Sequence, residues 1–116
     1  MPPPSPLAIT TSSVQRLLKE EASYHTELAE QRARVDALEA KAGNEDEDGN
    51  AAFLLKQQRA VVEQTRAVFA PLRLRIDEAV AKLEEQVAAE GEGQDGDLAG
   101  ARAALEMAAK AKAERT

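Results

Sequence analysis

The sequence predicts an all-α protein, an antiparallel three-helix bundle of the spectrin-like, coiled-coil-like kind with a kink in its second helix at Pro71. Three observations carry this. Leu55, Val62, Phe69, Ile76 and Leu83 form a row of large apolar residues spaced by seven, which places them on one stripe of a helix. The row keeps its register across Pro71, where a proline that ended the helix would reset the phase. Two short stretches, 43–50 and 91–96, hold five of the six glycines, the first with four consecutive acidic residues, and they divide the chain into three helical segments.

Residues 1–11 read as a disordered, proline-rich tail, and residues 12–116 as a single bundle with helices near 12–42, 50–90 and 97–113. Pro3 and Pro6 make a PxxP pair too short to carry a function. The first helix is expected to start at Ser12, whose hydroxyl can cap the first turn while Gln15 completes a capping box. Val14, Leu17, Tyr24, Leu28, Val35 and Leu38 occupy its a and d positions, with Glu21 and Gln31 as polar interruptions. Gly43 supplies a residue able to take positive φ at its end. That gives about 31 residues, or roughly 46 Å.

The second helix runs from about Asn50 to Glu90. Pro71 cannot donate to the carbonyl of Ala67, so a bend is expected there. Asp97 is placed to cap a shorter third helix with Leu98, Ala101, Leu105 and Ala108 on one face. Short connections favour up-down-up packing. The alternative layout is a long helical hairpin that dimerises, with the third helix loosely attached.

Composition restricts function. Of 116 residues 24 are alanine, and the aromatic residues are Tyr24, Phe53 and Phe69. Alanine favours helix but buries little area, so the core is a thin seam with no room for a deep substrate pocket. The net charge of −6 argues against nucleic acid, whose phosphates demand concentrated positive charge. Absence of cysteine excludes disulfides and thiolate metal sites. No apolar run approaches the roughly 20 residues of a membrane span, and the N-terminus lacks a signal-peptide pattern. A cytosolic protein is expected.

Candidate sites are few. Setting Gly49 as the sixth residue of a calcium loop puts Leu55 where a bidentate glutamate is needed, which rejects an EF-hand. His25, the single histidine, has no nucleophile or carboxylate to work with and reads as a packed or half-exposed flank residue. No phosphate-cradling glycine motif occurs. No catalytic residue, metal or cofactor is expected. The polar pattern above background is Arg59, Arg66 and Arg73, spaced by seven and four residues on from the apolar row. The corresponding flank of the first helix carries Leu18, His25, Arg32 and Glu39. The row is either a solvated face with local salt bridges or a stripe that grips a partner's carboxylates.

The segment Ile9-x-Thr11-x-x-Val14-x-Arg16-Leu17-x-Lys19-Glu20-x-x-x-Tyr24-x-x-Glu27 resembles the opening of tubulin-specific chaperone A, also called tubulin-binding cofactor A. Lys56-Gln57-Gln58, Val62, Glu63, the mid-helix Pro71, Leu74 and the Leu83 region extend the likeness over about residues 9–88. The third helix follows by layout alone. The resemblance implies a cytosolic, microtubule-cytoskeleton folding cofactor that binds β-tubulin after chaperonin release and passes it to other tubulin-folding cofactors. It implies no enzymatic activity, nucleotide or metal, and leaves monomer or homodimer open. Arg59, Arg66 and Arg73, with Arg16 and Lys19, are then the residues expected to meet β-tubulin. A structural coiled-coil adaptor linking two proteins is the competing expectation.

Overall fold

A computed structural model describes residues 3–44, 49–90 and 96–115. All regular structure among them is helical: α1 spans Pro6–Asn44, α2 Asn50–Glu90 and α3 Gly96–Ala113. This is the three-helix architecture expected from the periodicity.

α1 starts at Pro6 rather than at Ser12. The Ala8 amide donates to Ser5 Oγ at 3.0 Å, and the Ile9 amide to the Ser5 carbonyl at 3.0 Å, so Ser5 is the cap. Pro6 follows at the first helical position, where its fixed φ suits the helix and its missing amide costs nothing. Ser12 is exposed within the helix. The extra turn is anchored by buried Leu7, Thr10 and Thr11, whose hydroxyls turn back to the carbonyls of Pro6 (3.1 Å) and Leu7 (2.8 Å). At the other end α1 runs through Gly43, and the positive φ (75°) falls at Gly49, immediately before α2. The acidic centre of that turn, 45–48, and the second turn, 91–95, lie outside the described residues.

α2 is one continuous helix of 41 residues with Pro71 inside it. Val62, Phe69, Ile76 and Leu83 are buried and Leu55 half-buried, so the seven-residue row is core on both sides of the proline.

The chain divides into two compact units. Unit 1 holds residues 1–20 and 72–116 and draws on all three helices. Its core is Leu7, Val14, Leu17, Leu18, Leu72, Ile76, Leu83 and Leu98, closed by Ala101, Ala104 and Ala108 of α3. Alanines let α3 approach closely while burying little of their own. Ser5 Oγ also donates to Asp97 Oδ2 at 2.7 Å, joining the start of α1 to the first turn of α3.

Unit 2, residues 21–71, contains only α1 and α2. Leu28, Val62 and Phe69 are its buried cluster, with Tyr24 and Val35 against it. Tyr24 meets Phe69 edge-on at 6.3 Å between centroids, and Arg59 reaches Glu39, so residue numbers rise on α1 as they fall on α2. This is an antiparallel pair. Its seam is polar in places: Gln31 is 4% exposed and Thr65 7%. Gln31 Nε2 donates to Glu27 Oε1 at 3.2 Å, but Gln31 Oε1 and Gln58 Nε2 are buried without partners.

Candidate protein-interaction surface

The row four residues beyond the α2 core row is Arg59, Arg66, Arg73, Val80 and Val87. Within unit 1, Val80 and Val87 are half-buried, and Val80 lines a groove of about 490 Å³ between α2 and α3 with Ile76, Leu105 and Ala108. Arg73 is half-buried in the same unit. Within unit 2, which has no third helix, Arg59 and Arg66 are exposed. The matching row of α1 changes likewise: Thr11 and Leu18 are buried, whereas His25, Arg32 and Glu39 are exposed. In unit 1 each row is apolar or small apart from Arg73, which stands next to the unit boundary, and in unit 2 each is polar. The placement of Arg59 and Arg66 therefore has a packing cause: a flank without a covering helix must be solvated.

The structure gives these arginines different surroundings. Arg59 Nη2 lies 2.8 Å from Glu39 Oε1, with the two side chains 58% and 47% exposed. Arg66 Nη1 lies 3.3 Å from Glu63 Oε1 on its own helix. Exposed pairs of this kind contribute about 0–1 kcal/mol, so both guanidinium groups can exchange partners at little cost. Arg59, Arg32, Val35, Asp36, Val62 and Glu63 line an open groove of about 470 Å³, which brings Arg59 and Arg32 together over an apolar floor. Arg66 does not line it. Arg16 and Lys19 are exposed on α1 in unit 1.

His25 packs its ring on Phe69, with centroids 4.6 Å apart and planes at 37°. The ring contact accounts for its place on the flank. Among the described residues no group of three acidic or histidine side chains is placed to hold a metal.

The sequence reading missed a second surface in unit 2. Phe53, Leu54 and Val61 are 58%, 41% and 36% exposed. Leu54 and Val61, with Leu38, Gln57, Ala60 and Gln64, line an uncharged groove of about 500 Å³. Leu54, Val61 and Val68 are spaced by seven immediately before the core row, and that repeat is the signal that marks it.

The sequence profile described as tubulin binding cofactor A matches residues 2–108. The chain belongs to the tubulin binding cofactor A family. The crystal structure of tubulin folding cofactor A from Arabidopsis thaliana is similar at a TM-score of 0.77 and 26% identity. The match covers 90% of this chain and 92% of that one. A comparison with curated proteins finds no match. Membership of this family makes the chain a tubulin-folding cofactor, a chaperone-type binding protein, and sets aside the coiled-coil adaptor. Among the described residues no helix is long and apolar enough to cross a membrane.

Proposed function

We propose that this cofactor captures β-tubulin folding intermediates after chaperonin release and holds them until the α/β heterodimer assembles. It works in the cytoplasm, beside the microtubule cytoskeleton, and passes its client to other tubulin-folding cofactors. The observation that supports this most directly is the exposed arginine flank of unit 2, whose ion pairs are weak enough to be replaced by a client's carboxylates. β-Tubulin is acidic and this chain carries −6, so recognition depends on local rather than overall complementarity. Arg59 and Arg66 are the first contacts in this reading. Arg73, Arg16 and Lys19 are further contacts, all in unit 1.

Replacing Arg59, Arg66 and Arg73 together with glutamate tests the reading. Capture of β-tubulin from lysate should fall by at least about tenfold, with helicity unchanged, because interface arginines are frequent anchors. Enrichment of β-tubulin without α-tubulin by the unaltered protein is the expected companion result. Unchanged capture by the triple variant removes the arginine flank from the client site.

A further inference from the structure

Ser5 joins three features that the tubulin reading does not use. It stands in Pro3-Pro4-Ser5-Pro6, outside helix, with Pro3, Pro4 and Pro6 exposed. Its hydroxyl caps α1 through the Ala8 amide at 3.0 Å and donates to Asp97 Oδ2 at 2.7 Å. Asp97 is the acidic residue in the first turn of α3.

A serine followed by proline is the dipeptide that proline-directed protein kinases modify. Such kinases take an extended residue before the proline, and the proline ring itself disfavours helix at that position. The N-cap residue is also non-helical. Ser5 therefore has the required backbone bias in the folded chain, in a stretch with exposed neighbours.

We propose that Ser5 is a phosphorylation site for a proline-directed serine/threonine kinase, and that the modification releases the start of α3 from α1. Ser5 Oγ would lose its proton to the kinase's base and attack the γ-phosphorus of ATP, forming the Oγ–P bond as the bond to ADP breaks. The product cannot donate to Asp97, because the hydroxyl hydrogen is gone. It instead sets a phosphate of charge about −1.5 to −2 beside that carboxylate. The phosphate remains favourable at the α1 N-terminus, where it faces free amides and the positive end of the helix dipole. Repulsion between adjacent anions exceeds dipole attraction, so the balance at α3 is unfavourable. α3 is the element that gives way, since alanines supply most of its buried face: Ala101, Ala104 and Ala108 beside Leu98.

The full-length chain is incubated with a cyclin-dependent kinase and ATP, and the product is mapped by mass spectrometry. Amide hydrogen exchange of α3 is then compared with that of the unmodified chain. One phosphoryl group at Ser5, absent from S5A, is expected, with α3 amides exchanging about tenfold faster or more for the lost charge-assisted bond. S5D, which keeps an N-cap oxygen for α1, should reproduce the faster exchange, and added salt should reduce it. Asp97→Asn in the phosphorylated chain should restore α3 protection, since an amide can donate to the phosphate. No incorporation at Ser5, while a Ser-Pro control peptide is fully modified, overturns the site. Incorporation with unchanged α3 exchange overturns the release.

Discussion

Arg59 on α2 and Glu39 on α1 join the two helices of unit 2 through a 2.8 Å contact, with both side chains about half in solvent. Twenty residues separate them in sequence. Arg59 also lines, with Arg32 of the α1 row, the groove over Val35 and Val62. Its exposure decides its role, because screening and side-chain entropy leave such a pair about 0–1 kcal/mol of stability. It is more important as a competitor for the Arg59 guanidinium than as a brace.

That competition gives the first prediction. Glu39→Gln should change the unfolding free energy by less than about 1 kcal/mol. The same change should tighten β-tubulin capture, since Arg59 no longer exchanges one carboxylate for another. Arg59→Glu should weaken capture. Binding titrations at two salt concentrations read both effects, and equal affinity for all three proteins would exclude Arg59 as a contact.

The second prediction concerns Pro71, which lies inside a continuous helix and is exposed. Pro71→Ala restores a helix-interior amide and removes a ring clash. The fold should persist and stability should rise by about 1–3 kcal/mol in urea unfolding. Loss of the folded state would mean that the proline enforces a break the fold requires.

How much of this was legible in the sequence follows from periodicity. The row Leu55, Val62, Phe69, Ile76 and Leu83 was readable because each member falls on one stripe, and burial there needs no detail of its neighbours. The start of α1 was not. Ser12 with Gln15 imitates a capping box, and four prolines before it suggest a tail. The decisive cue was Ser5-Pro6, a cap followed by proline at the first helical position, together with Leu7 one heptad before Val14. The arginine flank was readable as a row. Its division was not, because α3 covers only the part of α2 that carries Val80 and Val87, and length alone does not fix where a short helix ends its cover. Leu54 and Val61 escaped notice for a different reason: the row beside the core row is apolar only from Leu54 to Val68 and continues as exposed Arg75 and Lys82, so its repeat is too short to stand out.

A half-buried glutamine on the α2 seam gives the third prediction. Gln58 sits one d position along the α2 seam, three residues after Leu55, and its Nε2 is buried without a partner. An orphaned donor costs about 1–3 kcal/mol, and an apolar side chain of similar volume removes that cost. Gln58→Leu should therefore raise the urea midpoint, by an amount equivalent to about 1 kcal/mol or more. A lower midpoint would show that the amide is satisfied in solution.

The two phenylalanines of unit 2 give the fourth. Phe69 is 7% exposed, belongs to the cluster with Leu28 and Val62, and receives Tyr24 edge-on and His25 across its face. Truncating it deletes the largest apolar surface of a core built by two helices alone. Phe69→Ala should cost about 3–5 kcal/mol. Phe53 is 58% exposed, and Phe53→Ala should alter stability by no more than about 0.5 kcal/mol. Hydrogen exchange separates the units in the Phe69 variant: protection should fall first across residues 21–71, while amides around Leu83 and Leu98 keep theirs. If both sets lose protection together, the units unfold as one, and the seam of unit 2 is then supported by more than its own apolar cluster.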